Sequence, residues 1–227
     1  MIGLRHITKI YKVGQRSRII LDNVSCNFRQ GINVGILGRN GAGKSTLMGI
    51  IGGKIKPDSG RIVRTSLISW PLGFSGCFNG SLTGKENLRF VSRIYNKDWK
   101  EISEFVEDFS ELGAYMNQPV ATYSSGMKAK LAFGLSMAIG FDYYLIDEVT
   151  AVGDASFKNK CNKIFQERKS KATLIIVSHS INTIKSQCDI AGILDGGSIT
   201  FYDTISDAIK MYNDICAKPP QIKFVLD

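Results

Sequence analysis

Short runs of branched and aromatic residues, each closed by glycine or a polar turn, dominate the first sixty positions. Ile2 to Tyr11 and Arg18 to Phe28 read as two strands joined by a turn at Gly14, and Gln30-Gly31 marks a second turn. Ile32-Asn33-Val34-Gly35-Ile36-Leu37 is an apolar, β-branched run with the texture of a buried strand. Gly38 to Gly43 then reads as a glycine-rich loop, and Ser45 to Lys54 as a helix with Leu47, Met48, Ile50 and Ile51 as its apolar members. Pro57-Asp58-Ser59-Gly60 predicts a turn.

The period changes between residues 84 and 139. Ile102, Phe105, Val106, Phe109 and Leu112 recur at helical spacing on a polar background, and another helix is predicted from near Ser125 to about Ile139. Strand texture returns at Tyr143 to Ile146, Thr173 to Val177 and Ile190 to Leu194. Helix-like stretches at Ala155 to Lys169 and Ser180 to Gln187 separate them. Strands alternating with helices predict an α/β fold with a parallel sheet. The expected organisation is a core from 1–68 and 140–215, a helical lobe from 84–139 inserted into it, and a short tail from 216–227 after Pro219 and Pro220 break the last helix.

Composition narrows the class. With 227 residues and 44% hydrophobic content, the chain suits one α/β domain with a small lobe and does not suit a disordered or collagen-like class. Its longest apolar stretch, Leu131 to Phe141, is too short to span a bilayer, and no secretory signal is expected at the start. The five cysteines show neither zinc nor redox spacing and read as reduced, inert thiols. The net charge of +9 fits nucleic acid, an anionic membrane surface, a polyanionic small molecule or a merely basic surface, and does not choose among them.

The chemistry is concentrated in a few segments. Gly38-Arg39-Asn40-Gly41-Ala42-Gly43-Lys44-Ser45 fits G-x-x-x-x-G-K-[ST], lying between a predicted strand and a predicted helix. Glycines there let backbone N–H groups curl around phosphate oxygens, and the following helix turns its positive end toward the same anion. Lys44 is expected to face the β/γ-phosphates and Ser45 to ligate Mg²⁺. Asp147-Glu148 ends a strand, where carboxylates border the ligand crevice of an α/β sheet. Asp147 is expected in the Mg²⁺ shell and Glu148 as the base for the attacking water. His179 ends the next strand and is a candidate partner of the γ-phosphate and water, whereas His6 reads as an ordinary strand residue. Ser124 or Ser125 caps the helix that follows, and that Ser-Gly start is a candidate second anion site.

In this order the motifs resemble the nucleotide-binding subunit of ATP-binding-cassette (ABC) transporters, from about Ile2 to Tyr212. The resemblance implies a P-loop NTPase core of RecA-like type, an N-terminal antiparallel β subdomain and an inserted helical lobe. It implies ATP hydrolysis with ATP and Mg²⁺. Tyr11 matches the aromatic that stacks on adenine, Gly38 to Thr46 the Walker A loop, and Leu145-Ile146-Asp147-Glu148 the Walker B strand. Ser124-Ser125-Gly126-Met127 stands at the signature position, Ala151-Val152-Gly153-Asp154 at the D-loop, and His179 at the switch histidine. Two departures stand out: the signature has Ser125 and Met127 where the family prefers Gly and Gln, and Ser69 to Thr83 lacks the Q-loop glutamine, with Asn79 the only amide nearby.

A narrower likeness is carried by Asp147 to Asp154 with Phe157 and Lys158, and by Trp70-Pro71-Leu72 to Gly80-Ser81-Leu82-Thr83. These are similar to the ATPases of bacterial polysaccharide exporters, the capsule-export branch in particular. The resemblance implies a separate transmembrane permease and an ATP-bound homodimer whose signature segment acts in trans. The polysaccharide would be contacted by the permease, and the location would be peripheral, on the cytoplasmic face of the inner membrane. The segment Ser69 to Leu88, with Trp70, Phe74, Phe78 and Leu82, is expected to receive the permease's coupling helix. A soluble ABC ATPase acting on DNA or ribosomes is the rival reading. Only the +9 charge favours it, so no nucleic-acid partner is expected.

Overall fold

In a computed structural model the first two apolar runs are long antiparallel strands, Ile2–Val13 (β1) and Arg16–Phe28 (β2). The structure describes residues 1–72, 76, 78–147, 155–169, 171–219 and 223–224. Ser59–Arg64 (β4) pairs with β1, and Lys223–Phe224 (β9) pairs with β2 at Arg18 and Ile19, giving an antiparallel sheet of order β4-β1-β2-β9. His6 and Asn23, both at φ 54°, mark irregular pairing between β1 and β2, and His6 Nδ1 lies 2.9 Å from Asn23 Oδ1. His6 thus serves the hairpin.

The second sheet has the order β5-β6-β3-β7-β8. Tyr143–Asp147 (β5), Thr173–Ser178 (β6), Val34–Leu37 (β3) and Ile190–Asp195 (β7) run parallel, and Ser198–Tyr202 (β8) closes the edge antiparallel to β7. Strand β3 is shorter than its apolar run because Asn33 is used sideways. Its N–H donates to Asp189 Oδ2 (2.6 Å), its Oδ1 accepts from Leu174 N–H (2.9 Å), and its carbonyl accepts from the N–H groups of Asp189 and Ile190. Both sheets share one core. Leu4, Leu21 and Phe28 pack in the same cluster as Ile36, Leu145 and Ile175, with Leu47 and Met48 from Lys44–Ile51 (α1). Full burial of each such side chain stabilises the fold by about 1.5–3 kcal/mol.

Two compact units divide the chain: Met1–Pro71, Asp142–Glu148 and Ala172–Asp227 in one, Leu72–Phe141 and Val149–Lys171 in the other. The first holds both sheets, α1, Ile181–Gln187 (α6) and Ile205–Cys216 (α7). The second holds Gly84–Ile94 (α2), Trp99–Ser110 (α3), two short 3-10 turns, Ser125–Ile139 (α4) and Ala155–Lys169 (α5). Helix α5, read from the sequence as part of the 140–215 stretch of the core, thus groups with the helices. Its Phe157 ring lies 5.1 Å from that of Phe109 on α3, which stacks on Phe133 of α4 at 5.6 Å. Helix α2 opens with a capping box in which Thr83 and Glu86 satisfy each other's backbone N–H groups. Among the described residues no helix is long and apolar enough to cross a membrane. Burial pushes the Cys26 thiol up to about 12 and the Cys161 thiol up to about 11, so neither is a thiolate at neutral pH.

Candidate nucleotide site

Parallel pairing brings the strand ends into line. Leu37 of β3 is opposite Ser178 of β6, and Val177 is opposite Asp147 of β5. The loop after Leu37, the carboxylate of Asp147 and the residue after Ser178, which is His179, therefore stand together at the carboxyl ends of three neighbouring strands. The carboxyl ends are where open parallel sheets bind ligands.

The loop itself is built on two left-handed glycines. Gly41 stands at φ 78° and Gly43 at φ 106°, values that side chains other than glycine rarely adopt. Gly43 caps α1, whose first turn carries no acidic residue of its own to oppose an anion at that helix start. Lys44 folds back over the loop and donates to the Gly38 carbonyl at 2.6 Å and the Arg39 carbonyl at 3.1 Å. Asn40 is exposed at the loop tip, Ala42 N–H closes a turn onto Arg39 O at 3.1 Å, and Thr46 lies in the first turn of α1.

Ser45 Oγ donates to Asp147 Oδ2 at 3.1 Å. The pair brings one hydroxyl and one carboxylate oxygen together beside the loop. Among the described residues there is no cluster of three or more metal-binding side chains. Mg²⁺ does not need one here, since it binds through one or two protein oxygens plus phosphate and water. The donor set fits that ion. His179 is exposed at the same strand ends, immediately before Ser180, which caps α6 and donates its N–H to Ser178 Oγ at 2.8 Å.

Tyr11 pairs with Arg18 across the β1/β2 hairpin; it is 38% exposed, with Lys9 Nζ 5.3 Å from its ring centre. Arg18 in turn donates to Gly41 O at 2.9 Å, which ties the hairpin to the phosphate loop. A cleft of about 190 Å³ is lined there by Arg18 to Ile20, Arg39 to Ala42 and Asp195 to Gly197. Arg18 and the Asp195-Gly196-Gly197 turn escaped the sequence reading. Arg39 did not, but its anchoring did: its guanidinium donates to the carbonyls of Ile215 and Lys218 at the end of α7.

The signature segment belongs to the helical unit. Ser124, not Ser125, is the cap: its Oγ accepts from Met127 N–H at 3.2 Å, and Ser125 and Gly126 form the first turn of α4, which carries no acid. Glu148 and Asp154 lie outside the described residues, as does Phe74. Around the missing glutamine, buried Ser69 is pinned to β5, donating its N–H to Tyr143 O and accepting from Leu145 N–H, both at 2.9 Å. Asn79 spends its side chain on Ser81 N–H (3.0 Å), and Phe78 and Leu82 are half-buried.

Known proteins match this arrangement. The ABC transporter family profile matches residues 21–151. The polysialic acid transport ATP-binding protein KpsT of Escherichia coli is 51% identical over 93% of this chain and 98% of its own. The capsule polysaccharide export ATP-binding protein CtrD of Neisseria meningitidis serogroup B is 50% identical over 95% of this chain and 100% of its own. A dimeric ATP-binding cassette in a post-hydrolysis state with ADP and Pi has the same fold, with a TM-score of 0.70 at 22% identity, over 88% of this chain and 96% of that one.

Proposed function

The chain belongs to the ABC transporter family, and from that premise we propose that it is the ATP-hydrolysing motor of an exporter of capsular or related cell-surface polysaccharide. The observation that carries the ATPase reading is the Ser45–Asp147 pair beside the Gly38–Ser45 loop. The full-length likeness to KpsT and CtrD supports the polysaccharide.

Each residue has a task in this reading. Tyr11 stacks on the adenine. The loop N–H groups and Lys44 bind the phosphates, and the Lys44 ammonium exchanges its two carbonyl partners for β/γ oxygens of ATP. Ser45 and Asp147 would hold Mg²⁺, which supplies positive charge against the phosphate oxygens. Glu148 takes the proton of the attacking water, and His179 holds that water or the γ-phosphate in line. Ser124 to Met127 of a second copy faces the same nucleotide, with Asp154 of the D-loop at the joint between copies. A separate permease carries the polymer and docks against the Ser69 to Leu88 segment, which keeps this chain peripheral at the inner face of the membrane.

Paired variants test the reading. Lys44→Ala loses nucleotide binding and turnover together. Glu148→Gln keeps ATP binding, loses turnover by at least a hundredfold, and runs as a dimer in ATP by size-exclusion chromatography. Normal turnover in the lysine variant, or a monomeric glutamine variant with ATP bound, refutes the assignment.

A further inference from the structure

Helix α2 buries one face within its own unit through Asn87, Leu88, Val91 and Ser92. Its other face is not that of an ordinary solvated helix. Phe90 and Ile94 sit one turn apart at 57% and 60% exposure, and Trp99, at the start of α3, is 39% exposed. Each apolar side chain has a cation beside it. Arg89 precedes Phe90 and lies 5.6 Å from the Trp99 ring centre, Arg93 precedes Ile94, and Lys97 follows. All three cations are exposed. Three acids lie near: Asp98 caps α3 by accepting from Lys100 N–H at 2.7 Å, Glu86 sits in the capping box one turn before Phe90, and Glu101 is exposed in the first turn of α3. Five cations against three acids over residues 84–101 leave the face basic.

We propose that this face rests on a bilayer surface rich in anionic phospholipid. The pattern chooses between lipid and protein. A groove for a partner helix needs a continuous apolar floor, with lysine and acidic side chains kept to the rim. Here each exposed apolar side chain directly follows an arginine, at 89/90 and again one turn on at 93/94, on a helix whose buried face is already fixed in place. That spacing suits the headgroup layer, where Phe, Ile and Trp dip to the level of the acyl boundary while cations pair with phosphates. It also gives part of the +9 net charge a destination. The inference rests on the transporter reading only for its biological setting, since lipid binding is a property of the chain alone.

Cosedimentation of the whole chain with phosphatidylcholine vesicles, with and without 30% phosphatidylglycerol, tests it. Wild-type protein should pellet with the anionic vesicles only. Arg89→Gln with Arg93→Gln should weaken partitioning about thirtyfold, from the loss of two surface cations. Phe90→Ser with Ile94→Ser should weaken it comparably, and Trp99 emission should shift blue on binding in a way the Trp99→Phe variant lacks. Lys54→Gln with Lys56→Gln, in the other unit, should change little. Equal loss in that control means diffuse attraction and overturns the proposal. So does wild-type protein that ignores anionic vesicles, or that binds this face only to permease-containing membranes or to RNA. ATP hydrolysis of the same samples reads the motor assignment separately. Active protein that ignores lipid sinks this proposal alone, and lipid-bound protein without turnover sinks only the motor.

Discussion

Gly41 and Gly43 sit two residues apart in the same loop and differ in one respect that a pair of alanine substitutions can isolate. Both are at positive φ, so either alanine pays the left-handed backbone cost, about 1–2 kcal/mol. Beyond that, an alanine Cβ at 41 meets only the tip of Arg18, at 3.9 Å. At 43 it comes within 2.7 Å of Ile20 Cγ2 and 3.2 Å of the Ile20 carbonyl oxygen. Ile20 packs against the shared core and cannot simply swing away, so an overpacking cost of about 1–3 kcal/mol is added. Gly41→Ala should therefore destabilise by about 1–2 kcal/mol and Gly43→Ala by about 2–5 kcal/mol. Urea denaturation without nucleotide measures both, and each kcal/mol lowers the melting temperature by about 2–4 °C in a chain of this size. Binding of a fluorescent ATP analogue should fall further in Gly43→Ala, about tenfold for each 1.4 kcal/mol the nucleotide spends restoring the loop. Equal stability of the two variants would refute the argument, because it would mean that no contact with Ile20 restricts residue 43.

Two further substitutions test the packing of the units. Asn87 is buried, its amide nitrogen lies 2.9–3.2 Å from the carbonyls of Asn79, Leu82 and Thr83, and its Oδ1 accepts from Asn79 N–H. Asn87→Ala should cost about 2–4 kcal/mol in urea and speed hydrogen exchange over residues 79–83; unchanged exchange there would argue against the hub. Asp58 accepts from Lys9 Nζ at 2.9 Å and Ile10 N–H at 2.6 Å, and these bonds hold its carboxyl below the ordinary 3.8. A lowered folded value stabilises above 3.8 and is lost as pH falls through the folded value, so wild type should lose stability across that window faster than Asp58→Asn. Parallel acid curves would refute this.

What the sequence made legible was local. The strand–loop–helix around Lys44 needs nothing beyond consecutive residues, and the run ending at Asp147 advertises its own strand end. The Ser124 cap was narrowed to two residues because either serine could bond three positions on. Strand β8 is not legible because Ser198 to Tyr202 is partly exposed and lacks the uninterrupted apolar run that marks the buried parallel strands. Strand β9 is two residues long and exists only by pairing with Arg18 and Ile19, some two hundred positions earlier. The anchoring of Arg18 and Arg39 was invisible for the same reason. A basic residue in a hairpin or loop carries no local sign of the carbonyl it will meet.

The order β5-β6-β3-β7-β8 has a consequence for the timing of synthesis. The strand that carries the phosphate loop, β3, has as its two neighbours β6 and β7, which begin at residues 173 and 190. Antiparallel β1 and β2 can zip as soon as they emerge, but β3 has no partner until most of the chain has followed it. At ordinary translation rates, roughly seven to thirty seconds separate the loop from the strands that will hold it. Throughout that interval the glycine loop hangs from an unpaired apolar strand, with two sides open to wrong partners. Long-range pairing of this kind slows folding and leaves edges for aggregation. Nucleotide affinity can thus arise only after β6 and β7 have been made, and a ribosome stalled before Thr173 holds a chain that has the motif without the site.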